Sequence, residues 1–579
     1  MTTSIRMRAA TNGLAIAALV YASGAGMDAG AKTLLPEGSA AAPAAAPSTP
    51  VADASGPPPP VCLSSPAAGV TPPVAHPPSN VRPYRPFPAT WQKTLDALTK
   101  NGDIPGAVII VKSPDWGVRV GTTGVANLAT GAPIRPDMQF RVGSVSKAFM
   151  AQAILRLEQE GKLQLTAPVL TYLGDNKVAA GIPNIDKTTV EDLLQMKSGI
   201  ANYLDAPAIS YSPQATPQKA FKPNELISVL SAAPPRPPEL TPYFAPGDTY
   251  PNPYYLTVLN PQYPKPPPPP APAPYPMWNY SNSNYILLGL IAEKVTGLKV
   301  EDLLKRYVFD VAGLGDTYFA TDDLHDLAMH GYTKWGEIPY DHQVYAKWCD
   351  VTATNPTYAW TAGAIVSTPW DLLQFEDTMF TTDKLLNAGT KNKWFTFVSS
   401  DIHVGWEEMQ YGVGGLMQAQ RAYGTARGHG GAFPGYKTLI YYFGDQQTSF
   451  VLASNTWDQE WEVVLLDSIM PEVSSAVTTP TPSNTAAPVS VGPGGAISLG
   501  WQAGRVYGQS YNLYWGTDAD AVDRASEASH SGVQLKSVPG VQAQAAVAAG
   551  KTYYWRVDTV APGKALPLVI GPLWQFTTR

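Results

Sequence analysis

Cysteine is nearly absent: Cys62 and Cys349 are the only two in 579 residues. That excludes a disulfide-stapled miniprotein, and neither cysteine stands at metal-ligand spacing from a histidine, so no structural zinc is expected. In an oxidising compartment the two could bridge an N-terminal arm to the main domain. Two unpaired thiols is an equal alternative, since sequence carries no distance. Basic blocks are missing as well, and the formal net charge is -6, which argues against nucleic acid as a partner. No apolar run is long enough to span a bilayer with confidence. The run from Leu14 to Val20 follows Arg6 and Arg8 and precedes Ala22-Ser23-Gly24 and Ala29-Gly30-Ala31. It reads as an export signal over residues 1–31, with an uncleaved anchor as the alternative. The expectation is a periplasmic or secreted protein with no stable membrane span after cleavage.

Proline is abundant instead, 57 residues, and it is concentrated. Residues 32–86 are dominated by Ala, Pro and Ser and cannot bury enough apolar surface to fold, which predicts an extended tether. Residues 87–474 carry the signals of one large domain. A helix is expected at Trp91–Leu98, strands at Gly106–Val111 and Val118–Val120, helices at Val190–Leu194 and Tyr285–Val295, and strands at Lys437–Phe443 and Thr448–Ala453. Strands at both ends with helices between them predict an α+β domain: an antiparallel sheet flanked by helices, with a helical lobe inserted. A Pro- and Tyr-rich insertion over about 248–277 should form an extended loop. It is read either as a rim that selects substrates or as a solvated loop without catalytic consequence. A linker follows at 475–488. Short aromatic strands at Ile497–Trp501, Tyr511–Trp515 and Thr552–Val557 then predict an all-β sandwich over 489–579.

Three separated stretches carry chemistry: Ser144-Val145-Ser146-Lys147, Tyr280-Ser281-Asn282 and His429-Gly430-Gly431. Ser144 is the only serine with a lysine three residues on. The apolar pattern after it is helical and ends at Gly161, so Ser144 is expected in the first turn of a helix with Lys147 on the same face. A serine hydroxyl attacks a carbonyl only when a base takes its proton, and a desolvated lysine can be that base. Asn282 can donate and accept at once, which suits it to hold Lys147 and a substrate amide. In isolation Tyr280 could be a packing residue and His429 an ordinary loop histidine. The flanking glycines fit a strand edge where backbone must approach a ligand closely.

The stretch Phe140-Arg141-Val142-Gly143-Ser144-Val145-Ser146-Lys147, taken with the other two motifs, resembles the serine β-lactamase and penicillin-recognising superfamily. The similar branch holds class C β-lactamases, D-Ala-D-Ala carboxypeptidases and lactamase-like esterases. Supporting stretches are Leu193–Ile200 and Ala362–Thr368, and the resemblance runs from about Phe87 to Met470. It implies a β-lactamase/transpeptidase-like fold, an acyl-enzyme at Ser144, and Tyr280 sharing proton traffic with Lys147. It also implies substrate contacts from Asn282, His429 and Gly431, and an oxyanion hole from the backbone N–H groups of Ser144 and Ala432. No metal or organic cofactor is expected. The C-terminal stretch Tyr553-Tyr554-Trp555-Arg556-Val557-Asp558, with the closing Trp574-Gln575-Phe576-Thr577-Thr578, resembles fibronectin type III modules, which act as spacers or binding units.

One departure narrows the expectation. Many relatives carry Lys-Thr-Gly at the third motif, whose lysine and hydroxyl help bind a substrate carboxylate. Here His429 and Gly430 stand in those places, and a neutral imidazole supplies no fixed charge. Arg427 is the one nearby cation considered as a substitute. The expected function is hydrolysis of a small ester or amide, including a D-Ala-D-Ala-type peptide of cell-wall material. A class C-like β-lactamase is the alternative, and a non-catalytic penicillin-recognising binding protein is the rival from another class. Its intact serine, lysine, tyrosine and asparagine speak against the last.

Overall fold

The computed structural model describes residues 78–206, 209, 217–231, 278–321, 327–334, 348–404, 407–421, 423–457, 461–476, 478–484, 487–504, 510–560 and 567–579. The export signal, most of the Pro/Ala-rich segment, Cys62 and the 248–277 insertion lie outside them. Cys349 is buried and disulfide-bonded.

The larger body is built on one sheet whose strands come from both ends of the domain. Besides the two-residue strand Ala132–Pro133, which pairs with Gly117–Asn127, they are β1 (Arg85–Pro86), β2 (Gly106–Ser113), β3 (Gly117–Asn127), β4 (Phe397–Val404), β5 (Glu407–Gly412), β6 (Met417–Arg421), β7 (Gly424–Phe433), β8 (Tyr436–Phe443) and β9 (Thr448–Ser454). Their spatial order is β1-β3-β2-β9-β8-β7-β6-β5-β4. All neighbouring pairs are antiparallel except β1 with β3. The seam is the β2–β9 ladder, in which Ile109 faces Leu452 and Ile110 faces Val451. These central strands read as continuous apolar runs because both faces are covered. On one face, α1 (Ala89–Lys100) and α2 (Trp461–Ser475) pack Trp91, Leu95, Leu465 and Ile469 against Ile109 and Leu452. On the other lie α3 (Ser146–Gln159), α4 (Asn282–Thr296) and α5 (Pro369–Thr381), in the main core with Val108, Ile110 and Val451.

Helix α3 is buried nearly all round, which fits a central helix rather than a surface one. It ends at Gln159, and Gly161 takes the left-handed turn that closes it (φ 70°). Helix α5 starts on Thr368, whose hydroxyl accepts from Asp371 N–H, with Pro369 at the first helical position.

The segment expected as free tether departs from that expectation over its last residues. Ser79 Oγ donates to Asp371 Oδ1 at 2.8 Å and Asn80 Nδ2 donates to the same oxygen at 2.7 Å. Arg82 pairs with Asp377 at 2.5 Å, and Arg85–Pro86 joins the sheet. Proline-rich composition obscured these few polar anchors, which find buried carboxylates far along the chain.

The C-terminal body has two antiparallel sheets. One holds β10 (Ala496–Gln502) and β12 (Gln542–Ala546), edged by Thr478–Thr481, so part of the expected linker is a strand. The other is centred on β11 (Ser510–Gly516) and β13 (Thr552–Val560). Trp501, Trp555, Trp574 and Leu513 fill the space between. This body docks on the first. Arg119 of β3, buried, makes a two-pronged bond to Asp523 at 2.6 and 2.8 Å. Arg85 pairs with Asp520 at 2.9 Å, and Val569 joins the apolar cluster of Phe87 and Trp91.

Candidate active site

The chain reaches the nucleophile through a tight 3-10 turn, Gly143–Val145, immediately before α3. Ser144 therefore sits two residues before the α-helix rather than in its first turn, because Gly143 (φ 53°) bends the backbone there. The bend is forced by the neighbouring strand: a Cβ on Gly143 would lie 2.5 Å from the Ala432 carbonyl oxygen and 2.7 Å from its nitrogen. A Cβ on Gly431 would lie 2.0 Å from the Val142 carbonyl oxygen. Two glycines thus let the end of β7 lie backbone-to-backbone against the turn that carries Ser144. That contact brings the main chain of Ala432 beside that of Ser144, the pair expected to form the oxyanion hole.

Lys147 is fully buried, with Nζ 2.9 Å from Ser144 Oγ and 2.8 Å from the Ala362 carbonyl oxygen. Those two atoms are its hydrogen-bond partners among the described residues. No carboxylate offsets the loss of water, and burial pushes the amine well below the usual lysine range. Its nitrogen lies 5.0 Å from the centre of the half-buried Tyr280 ring and 5.7 Å from that of Tyr285.

Asn282 does not hold Lys147 as expected. It opens α4, and its backbone N–H and side-chain amide both donate to Asn202 Oδ1, at 3.1 and 3.2 Å. It ties α4 to the loop before Tyr203, and Lys147 is held by the Ala362 carbonyl instead. Arg427 does not replace the absent lysine of the third motif: its Nε donates to Gln418 Oε1 at 2.6 Å and its guanidinium lies over Phe395.

His429 is completely buried on β7. Its Nδ1 bonds the Gly430 carbonyl, and its Nε2 lies 3.2 Å from the Tyr411 hydroxyl. Burial and the nearby Lys147 lower its pKa to about 3, so the ring is neutral at any ordinary pH. Sequence reading missed Tyr411, Tyr285, Trp278, Asn202 and the Ala362 carbonyl. Tyr411 and Trp278 pack edge to face or tilted against Tyr280. Trp278, two residues before Tyr280, Tyr285 on the helix that follows it and Ala362 at the head of a supporting stretch lay within reach of motif reading; Tyr411 and Asn202 belong to strands and loops that only the fold brings near.

The site thus offers a hydroxyl beside a desolvated amine, two main-chain segments in close register, and an aromatic wall with no free cation among the described residues. This arrangement suits acyl transfer to Ser144. Residues 91–468 match the family profile described as Beta-lactamase. Over 350 residues the chain is 23% identical to Penicillin-binding protein 4* of Bacillus subtilis (strain 168), covering 59% of this chain and 66% of that one. Over 371 residues it is 22% identical to a D-aminopeptidase of Cereibacter sphaeroides, covering 63% and 59%. The chain therefore spans about two thirds or less of these curated relatives. A solved D-stereospecific amidohydrolase from Streptomyces sp. is similar with a TM-score of 0.51 at 25% identity, covering 66% of this chain and 99% of that one. With the profile spanning well over half its length, the chain belongs to the Beta-lactamase family.

Proposed function

We propose that the protein hydrolyses small amides and esters through an acyl-enzyme at Ser144, with D-amino-acid amides and D-aminoacyl esters as its substrate class. The observation that carries this reading is the 2.9 Å approach of a desolvated Lys147 amine to Ser144 Oγ. The neutral amine takes the hydroxyl proton as Oγ bonds to the carbonyl carbon. The oxyanion that forms is met by the backbone N–H groups of Ser144 and Ala432. The proton then passes to the leaving amine or alcohol, with Tyr280 beside Lys147 to assist, and the C–N or C–O bond breaks. Water, losing a proton to the same groups, cleaves the ester at Ser144 and frees the acid.

The neutral third motif favours amides and esters over substrates that need a carboxylate anchor, so the β-lactamase reading ranks second. The names of the D-aminopeptidase and of the D-stereospecific amidohydrolase support the stereochemical part. We place the protein outside the cytoplasm, on the Arg-then-apolar start of the chain and the disulfide-bonded Cys349.

Time-resolved intact mass of the protein with D-phenylalanine amide, a D-alanyl nitrophenyl ester and a penicillin tests this, beside Ser144→Ala. The expected result is turnover of the first two, dependent on Ser144, and a slow or absent penicillin adduct. Fast penicillin turnover with inert amides would transfer the protein to the β-lactamases.

A further inference from the structure

The mechanism above leaves His429 and Tyr411 unused, although both are fully buried within the site. A carbonyl oxygen only accepts, so the contact of His429 Nδ1 with the Gly430 carbonyl requires the proton on Nδ1. In the neutral ring Nε2 is then an acceptor, and the Tyr411 hydroxyl, 3.2 Å away, is its donor. Tyr411 is itself held. Its ring meets the imidazole at 89° and 5.8 Å between centres, and its hydroxyl is hydrogen-bonded to that of Tyr285. The groups facing the imidazole are Lys147 from α3, Tyr280 from the segment leading into α4, and Tyr411 from β5, with Tyr285 of α4 behind. None of them is an acid that would hold a charged imidazole.

We propose that Tyr411 is a specificity-determining positioning residue: by donating to His429 Nε2 it holds the single ring proton on Nδ1, where it is committed to Gly430, and so the third motif presents no N–H to a substrate carboxylate. The cleft therefore selects acyl compounds whose leaving-group side ends in an amide, ester or neutral group. The inference rests on the reading of Ser144 as the acylated residue and adds the side chain that sets the substrate class.

Two measurements on the full chain separate the two claims. The first needs no turnover: nitrogen-15 spectra of histidine-labelled protein, with His429→Gln to assign the signals. A ring protonated at Nδ1 and unchanged from pH 8 to 5 is expected; protonation at Nε2, or titration in that range, overturns the lock. The second compares Tyr411→Phe with wild type at pH 5.5 on D-alanyl-D-alanine and D-alanine amide. Without the Tyr411 donor, Nε2 is free to carry the ring proton and offer it to a carboxylate. The dipeptide-to-amide ratio of kcat/KM should rise about tenfold, the worth of one charge-assisted hydrogen bond. An active variant with an unchanged ratio overturns the specificity role. A wild type that shows the lock but is never acylated overturns the Ser144 reading and the specificity role together, while the tautomer stands.

Discussion

Lys147 lies in conflict with its surroundings, and that conflict can be measured. An unfolded chain binds a proton at this lysine below the usual pKa near 10.5, whereas the buried amine resists it. A depressed folded pKa favours the folded state only above that pH, so folding loses stability as pH falls from about 10 towards neutrality. Lys147→Met should melt at a higher temperature than wild type, with a gap that widens from pH 10 to pH 7 in thermal scans. The same variant should lose about 10³-fold in kcat/KM, the scale of a general base. In wild type, kcat/KM should climb with pH as Lys147 loses its proton. No step should appear near pH 6.5, because His429 titrates at about 3. A rate profile with an imidazole step would place another protonation state at the third motif.

At the scale of elements, the site depends on how closely β7 approaches the turn before α3. Gly431→Ala would drive a methyl group into the Val142 carbonyl, and that oxygen belongs to backbone and cannot step aside cheaply. The expected outcome is a loss of about 1–3 kcal/mol in urea unfolding from overpacking. It should come with a 10²–10³-fold fall in kcat at little change in KM, as for a displaced oxyanion donor. The elements themselves were largely readable. The apolar period after Ser144 marked α3, and the runs at 106–111 and 448–453 marked the two strands of the seam. Partnerships were not readable. Nothing near Asn282 in sequence points to Asn202, and nothing near His429 points to Tyr411, because both pairs form only when loops and non-adjacent strands meet. The binding of Ser79, Asn80 and Arg82 was hidden by the opposite effect: composition spoke for a tether while individual polar side chains found buried partners.

For the whole molecule, the two bodies share a buried polar latch, Arg119–Asp523, beside the more exposed Arg85–Asp520 pair and an apolar margin. Arg119 is 1% exposed and relies on Asp523 for its charge. Asp523→Ala would leave a buried guanidinium unpaired, at a cost of about 3–5 kcal/mol. Limited proteolysis should then cut between 477 and 488 faster than in wild type, while hydrolysis of a small ester stays within about twofold, since no catalytic group is touched. Equal cleavage of the two proteins would show that Val569 with its apolar neighbours and the Arg85–Asp520 pair suffice to hold the bodies together.

The seam of the large sheet has a consequence for biosynthesis. Strand β2 is made early, yet the ladder that covers it is β9, near the end of the domain. At ordinary synthesis rates that partner emerges on the order of tens of seconds later. During that interval an apolar run, Ala107–Val111, waits with one edge open. The nucleophile helix cannot bury its face on a closed sheet until the wait is over. A nascent chain arrested before Thr448 should be cut readily within the Ser144 region, and one arrested well beyond Ser454 should resist. The last strand to arrive, rather than the first helix to form, makes the hydroxyl at Ser144 ready to react.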